Sequence, residues 1–133
     1  MTLHRRAFAQ LLAAFTTSGG FLAATPALAQ GKTAEVSMAQ SPKMRFIPDS
    51  VSIKAGDTVK WTNPHNISHT VTFDPSKAAN KENAVLPAGV EPFDSGPVEE
   101  EGTFSHTFTV KGTYKYVCTY HEAMGMVGTV IVS

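Results

Sequence analysis

Short runs in which apolar and polar residues alternate cover most of the chain after position 30. Such runs predict β-strands, because successive side chains of a strand point to opposite faces of a sheet. Turn-forming prolines, glycines and asparagines separate the runs at short intervals, as in all-β sandwiches and barrels. We predict strands at positions 35–38, 44–47, 51–54, 58–62, 69–73, 103–110, 113–118 and 127–132.

One connection is longer than a hairpin requires. Residues 74–97 contain four prolines and two glycines, with room for one or two helical turns at positions 76–84. A connection of this length is expected where the chain crosses between the sheets of a Greek key. The sequence therefore predicts an all-β fold, a Greek-key β-sandwich in a single domain.

The alternation also predicts which side chains face the core. Val59 and Trp61 share one face of their strand, and His69 shares a face with Val71 and Phe73. His69 is therefore expected to point inward at the beginning of its strand, where a sandwich strand meets its end loops. A buried histidine needs a partner for its ring nitrogens, and a metal ion can be one of them.

The stretch 116–128 carries the chemistry of the chain. It holds the only cysteine, Cys118, then His121, and then Met124 and Met126. Thiolate, imidazole and thioether are ligands that suit copper, and a His₂Cys site with a weak axial Met is the arrangement of blue-copper electron-transfer sites. The loop supplies only one histidine, so the second must come from elsewhere, and His69 is our candidate.

The first 29 residues have the features of an export signal. A basic start at Arg5-Arg6 precedes an apolar, small-residue stretch that ends in Ala27-Leu28-Ala29, a typical cleavage site. We expect residues 1–29 to be removed and residues 30–133 to form the mature domain. The Arg5-Arg6-Ala7-Phe8 start resembles a twin-arginine signal, and the ordinary secretory route stays open. Pro26 and the polar residues 16–20 interrupt the apolar run, so we expect no stable membrane insertion.

Net charge and cysteine content narrow the possible classes of function further. The chain has 11 basic and 11 acidic residues, and loss of the two leader arginines leaves 9 against 11, a net charge of −2. The absence of clustered basic residues argues against nucleic-acid binding. The acidic run 99–101 is interpreted as a solvated loop, with a docking patch for a basic redox partner as the alternative.

A lone cysteine in an exported chain forms no internal disulfide, which leaves a free thiol or a metal ligand.

The segment 116–128 resembles the ligand loop of the cupredoxins, in particular the plastocyanin, pseudoazurin and amicyanin group. The Gly-Met-Val-Gly ending at 125–128 is plastocyanin-like, and Cys118-Thr119 and Ala-Met-Gly-Met at 123–126 are similar to pseudoazurin. The resemblance continues through 44–48, 55–61 and 69–73. It implies a cupredoxin-like sandwich that shuttles single electrons through one mononuclear type 1 copper ion, held by His69, Cys118, His121 and Met126.

Two ligand positions have competitors. Met124 has the His-to-Met spacing of amicyanin, whereas Met126 has that of plastocyanin and pseudoazurin, and its Gly-Met-Val-Gly context favours Met126. His65 lies in a Pro-His-Asn context that also surrounds the upstream ligand of plastocyanin, but no strand begins there, so we expect an exposed turn histidine. His106 lies between phenylalanines and is interpreted as a core or edge histidine.

The resemblance also implies how the protein works in its compartment. Redox protein donors and acceptors would dock near His121, Ala123 and Met124, on a monomer in the periplasm or another exported compartment such as the thylakoid lumen. A copper carrier or buffer is the first alternative, and a copper-enzyme domain is the second. Multicopper oxidases typically have histidines beside the cysteine, and this chain has Val117 and Thr119 there.

Two positions depart from the pattern of the group. Tyr120 replaces the usual proline between the cysteine and the histidine, and Thr70 stands where plastocyanin has Asn. Both positions lie next to ligands, so they are expected to affect the potential and the spectrum more than the ligand set.

Overall fold

The computed structural model describes residues 31–133 of the protein. The predicted export signal and its cleavage site lie outside the described residues. No helix within residues 31–133 is long and apolar enough to cross a membrane. The strands of this part of the chain are β1 (Thr33–Ala39), β2 (Arg45–Ile47), β3 (Ser50–Ile53), β4 (Thr58–Thr62), β5 (Thr72–Phe73), β6 (Phe93–Asp94), β7 (Thr103–Thr107), β8 (Gly112–Val117) and β9 (Val127–Val132).

The strands form two sheets, so the fold is the predicted all-β sandwich. One sheet has four strands in the order β2-β1-β4-β7, and the other has five in the order β3-β9-β8-β5-β6. Each sheet contains one parallel pair, β1 with β4 and β3 with β9, and the remaining pairs are antiparallel. The alternation of polar and apolar residues explains the burial along β4, where Val59 and Trp61 are fully buried between partly exposed neighbours.

Aromatic rings fill the space between the sheets. Trp61 on β4 lies edge-on to Tyr116 on β8, with ring centroids 5.4 Å apart, and the Trp61 Nε1–H donates to the Tyr116 hydroxyl at 3.0 Å. Phe73 on β5 stacks on Tyr116 at 4.7 Å. Since Tyr and Trp need partners for their polar atoms when buried, this hydrogen bond fixes one sheet against the other.

The sequence predicted that the long connection 74–97 crosses between the sheets, but its residues up to Asp94 stay with the sheet that contains β5. It contains β6, which pairs with β5 in the same sheet, so the chain changes sheets only after Asp94. The sequence did not predict β6, because a strand of two residues is too short to show the alternation of apolar and polar side chains. The helical content of this connection is one 3₁₀ turn, Lys81–Asn83.

Two predicted strands are shorter than expected. Regular pairing after His69 begins only at Thr72, and His69 itself forms an isolated bridge with Val98. The strand predicted at 103–110 ends at Thr107, because the Phe108 backbone bonds to the turn at 56–57 instead of to a strand. Val110 is consequently 42% exposed and does not face the core.

Candidate metal centre

The residues of the cysteine loop are held by the loop's own backbone hydrogen bonds. We call residues 118–126 the ligand loop; it connects β8 to β9 and contains the 3₁₀ turn Glu122–Met124. The Cys118 N–H donates to the Met126 carbonyl at 3.0 Å, so the two ends of the loop are paired. The His121 carbonyl accepts from the N–H groups of Met124 and Met126 at 3.0 and 3.2 Å. Gly125 ends the turn with a φ of 85°, a left-handed conformation that favours glycine.

His69 approaches the loop from a different part of the sandwich. Its backbone exchanges two hydrogen bonds with Val98, at 3.2 and 2.7 Å, and its side chain is fully buried. Asn63 supports this arrangement, because its buried side-chain amide donates to the carbonyls of Ile67 and Val98. The predicted inward orientation of His69 is therefore correct, although a bridge and not a regular strand holds it.

The sequence-predicted donors His69, Cys118 and His121 converge at this point. One donor atom from each lies within 4.8 Å of the others, the single such cluster of His, Cys and acidic side chains within residues 31–133. The Cys118 Sγ lies 3.8 Å from His69 Nδ1 and 3.4 Å from His121 Nδ1. The two imidazole rings are tilted by 61° with centroids 5.0 Å apart.

The donor set fits one metal ion. A first-row ion with bonds of about 2.1 Å to nitrogen and about 2.3 Å to sulfur in a trigonal arrangement separates these atoms by about 3.8 Å. The distance from Cys118 Sγ to His69 Nδ1 has that value, and the distance to His121 Nδ1 is shorter, at 3.4 Å. Lone pairs that face one another inside a protein repel unless a proton or a cation lies between them, so the convergence itself favours a cation. Thiolate with two imidazoles is a ligand set for copper, and we conclude that the cofactor is one type 1 copper ion.

The electrostatics of the site favour neutral imidazoles, the form that binds metals. Burial and the nearby rings of His121 and His65 lower the pKa of His69 to about 4. Burial also lowers the pKa of His121. Neither ring is therefore charged near neutral pH in the protein without metal, and both present lone pairs.

The two methionines of the loop have opposite environments. Met126 is fully buried in the core cluster that also contains Cys118, whereas Met124 is 63% exposed. Met126 directly precedes β9, and its backbone pairs with Cys118 on one side and His121 on the other. These environments favour Met126 over Met124 as the fourth donor.

A threonine next to His69 bonds to the cysteine loop. The Thr70 N–H donates to Cys118 Sγ at 3.4 Å, and the Thr70 hydroxyl accepts from the Thr119 N–H at 2.9 Å. Thr72 and Asp94 extend this network towards the surface, because the Thr72 hydroxyl donates to Asp94 at 2.8 Å and lies 3.0 Å from the Thr70 hydroxyl. The sequence signalled Thr70 only as a departure from plastocyanin.

Glu122 was missed by sequence reasoning altogether. Its side chain is only 8% exposed, and its carboxylate accepts from the N–H groups of Ala79 and Asn80 and from the Asn83 side chain. Burial alone would raise the pKa of Glu122, but the hydrogen bonds from Asn80, Ala79 and Asn83 lower it below its usual value. No local signal marks this residue, because its partners lie about forty positions away.

The other two histidines of residues 31–133 lie outside the cluster. His65 is half-buried, whereas the sequence predicted an exposed turn histidine; its backbone N–H donates to the Asn63 side chain at 3.0 Å. His106 stacks on Phe93 with ring centroids 3.8 Å apart and planes at 15°. It is an edge histidine, in agreement with the sequence-based interpretation.

The fold and the site define a small β-sandwich copper protein, and comparison with known proteins gives the family. A family model for copper binding proteins, plastocyanin/azurin family, matches residues 32–133. The chain is 37% identical to plastocyanin from Scenedesmus fuscus over 71% of this chain and 92% of that protein. It is 35% identical to amicyanin-alpha from Methylorubrum extorquens over 89% of this chain and 91% of that protein.

Solved structures agree with this result. The Cu(I) form of an amicyanin mutant has a TM-score of 0.59 and 32% identity over 76% of this chain and 82% of that chain. Pseudoazurin from Methylobacterium extorquens AM1 has a TM-score of 0.60 over 77% and 76% of the two chains; at 24% identity it supports the fold alone. The chain therefore belongs to the plastocyanin/azurin family of copper-binding proteins, and it is a blue-copper electron-transfer protein of the cupredoxin fold.

Proposed function

We propose that this protein carries single electrons between two redox proteins in an exported compartment, with copper held by His69, Cys118 and His121 and, axially, by Met126. The convergence of three soft donors within 4.8 Å carries the proposal. It is further supported by the contrast between the two histidines, since His69 is fully buried and His121 is only half-buried. One histidine thus anchors the site, and the other lies between the site and the surface.

The chain's contribution is to hold the donors in one arrangement. Bound copper supplies a one-electron Cu(II)/Cu(I) couple, and its potential depends on the axial ligand and on hydrogen bonding to the cysteine sulfur. Cys118 binds as thiolate, with the Thr70 N–H donating to it. Because His69 is fixed by its bridge and the ligand loop by its own backbone bonds, little has to move when the electron arrives or leaves.

Partners dock on the apolar surface around His121. Tyr120 is 53% exposed and Met124 is 63% exposed, and Ala123 between them along the loop is exposed as well. Exposed apolar groups at the edge of a functional site are typical of interaction surfaces. Residues 1–29 direct export, and residues 30–133 act as a monomer in the periplasm or the thylakoid lumen.

A carrier of electrons fits the site better than a carrier of copper or a copper enzyme. Exchange of copper with another protein favours exposed ligands, whereas Cys118 and Met126 are fully buried. The positions beside the cysteine are Val117 and Thr119, which supply no histidine for a coupled cluster. The expected behaviour is slow copper release together with reversible one-electron cycling.

The test is the visible spectrum and voltammetry of the copper-loaded protein. Wild type should show an intense thiolate-to-copper absorption and a reversible one-electron wave, and Cys118→Ser should lose the absorption. A Cys118→Ser variant that keeps the band would end the proposal.

Two histidine variants form a matched pair for the same test. His69→Gln should weaken copper binding and lose the band, whereas His65→Gln, only four positions away, should keep both. The reverse result would move the second imidazole ligand to position 65.

A further inference from the structure

Glu122 is a buried carboxylate with no cation beside it. The ion pair between Lys77 and Asp94 is the one salt bridge within residues 31–133. Glu122 is instead satisfied by three neutral donors: Ala79 N–H to Oε2 at 2.7 Å, and Asn80 N–H and Asn83 Nδ2 to Oε1 at 3.0 and 3.1 Å. Most glutamates are solvated, and a buried one needs such partners to remain ionised. The contacts are therefore specific to this carboxylate.

These three hydrogen bonds connect two separate parts of the chain. We call residues 79–83 the clamp segment; it belongs to the long connection between β5 and β6 and contains the 3₁₀ turn Lys81–Asn83. All hydrogen bonds recorded between the clamp segment and the ligand loop end on the Glu122 carboxylate. Within residues 31–133, the only other hydrogen bond from residues 120–125 to a segment outside the ligand loop is the one that the Gly125 carbonyl accepts from Val127 N–H, at the start of β9.

The position of Glu122 makes the attachment relevant to copper. Glu122 directly follows His121 and is the first residue of the 3₁₀ turn, whose backbone returns to the His121 carbonyl through Met124. The same carbonyl accepts from the Met126 N–H, so a tilt of the turn displaces His121 and the segment leading to Met126 together.

We propose that Glu122 is a positioning residue, which locks the clamp segment against the ligand loop and thereby fixes the orientation of His121 at the copper site. The inference rests on the proposed function of that site. Its charge acts in addition to its geometry, because Glu122 directly follows the ligand His121 and a negative charge in the neighbourhood of the metal favours the more positive Cu(II) state. Glu122 therefore also lowers the reduction potential.

The decisive variant is Glu122→Gln, with Glu82→Gln as its matched control. Gln keeps the size of the side chain but has one acceptor oxygen, so at least one of the three clamp-segment donors loses its partner. Glu82 is exposed, lies in the clamp segment and undergoes the same loss of charge, and its side chain makes no hydrogen bond to the ligand loop within residues 31–133. Asn83→Ala is a second variant, which removes one hydrogen bond and leaves the carboxylate in place.

The first measurement needs no copper. Amide hydrogen exchange of the metal-free protein should be about tenfold faster at Ala79 and Asn80 in Glu122→Gln, since local opening then costs less free energy. Glu82→Gln should leave exchange at Ala79 and Asn80 unchanged, and Asn83→Ala should fall between the two.

The second measurement reports the site itself. In Glu122→Gln the equilibrium constant for reduction should rise about three- to tenfold, which is about 28 to 59 mV for a one-electron couple. The paramagnetic resonance lines of Cu(II) should also broaden, because His121 takes several orientations. Asn83→Ala, which keeps the charge, should broaden the lines with a smaller change of potential.

The exchange rates, the potential and the line widths together support or overturn the proposed role of Glu122. If exchange at Ala79 and Asn80 is unchanged, Glu122 does not lock the segment and the proposal fails. If exchange accelerates while the potential and line widths match those of Glu82→Gln, Glu122 is a structural contact only and the proposal also fails. The proposed function fails separately, by persistence of the visible band in Cys118→Ser.

Discussion

Thr70 and Cys118 are 48 positions apart in the chain, yet the Thr70 N–H donates to the Cys118 sulfur at 3.4 Å. The Thr70 hydroxyl accepts in return from the N–H of Thr119, at 2.9 Å. One residue thus bonds to the cysteine through its backbone and to the following residue through its side chain. Because Thr70 directly follows His69, these two bonds set the distance between the two halves of the copper site.

Thr70→Val should separate these two contributions. Valine keeps the backbone N–H to the sulfur but has no acceptor for the partly buried Thr119 N–H, and an unsatisfied donor costs up to about 1–3 kcal/mol when it is buried. We expect the free energy of unfolding in guanidinium chloride to fall by that amount. Thr70→Ser, which retains the hydroxyl, is the control and should stay closer to wild type. Equal losses in the two variants would show that the hydroxyl is unimportant.

Replacement of the two loop methionines should identify the axial ligand. Met126→Leu removes the buried thioether, and loss of this donor should raise the reduction potential, because the axial ligand tunes the couple. Met124→Leu changes an exposed side chain and should shift the potential less. Voltammetry of the two variants gives the comparison, and a larger shift for Met124→Leu would assign the axial position to Met124.

Much of the fold and the donor set follows from local sequence pattern. Alternation at Val59 and Trp61 placed the core face of β4, and the spacing from Cys118 to His121 indicated a ligand loop. The network around Thr70 and the contacts of Glu122 could not be predicted, because each depends on segments that are brought together only by the folded sandwich. The two-residue strand β6 was missed for a related reason, since its pairing with β5 comes from tertiary contact and not from periodicity.

The exposed apolar surface around His121 should control the rate of electron transfer between two copies of the protein. Self-exchange requires two copper sites to approach, and the half-buried His121 beside Met124 is the proposed point of approach. Met124→Glu places like charges opposite each other in the encounter and should slow self-exchange about tenfold at low salt, less at high salt.

The control for the surface is Ile131→Glu, which adds the same charge at another exposed apolar position, on β9. Self-exchange rates follow from nuclear magnetic resonance line broadening in mixtures of oxidised and reduced protein. Equal slowing by both variants would indicate a general effect of charge and would move the point of approach away from Met124.

His106 should make stability depend on pH. Burial lowers the pKa of His106 below its usual 6.5, so the unfolded chain takes up the proton first as the pH falls. The contribution of His106 to stability is therefore complete above about pH 6.5 and is lost as the pH falls below that value. The comparison is between wild type and His106→Gln, both loaded with copper so that the ligand histidines do not titrate. Wild type should lose stability relative to the variant between pH 7 and 5, and parallel curves would contradict the assignment.

Gly128 should tolerate no side chain, because Tyr116 lies directly across from it on β8. A Cβ at position 128 would lie 2.3 Å from Tyr116 Cζ and 2.4 Å from its hydroxyl oxygen, so the ring would have to move. That movement would also break the hydrogen bond from Trp61 between the sheets. Overpacking of this kind costs about 1–3 kcal/mol, and we expect Gly128→Ala to lower the free energy of unfolding accordingly.

A double-mutant cycle distinguishes a clash with Tyr116 from a general preference for glycine on β9. In a Tyr116→Leu background the phenol is absent, so Gly128→Ala should cost less than it does in wild type. The free energies of unfolding of the four proteins in guanidinium chloride give the coupling energy. A cost that is the same in both backgrounds would mean that the backbone at position 128, and not the ring across from it, requires glycine.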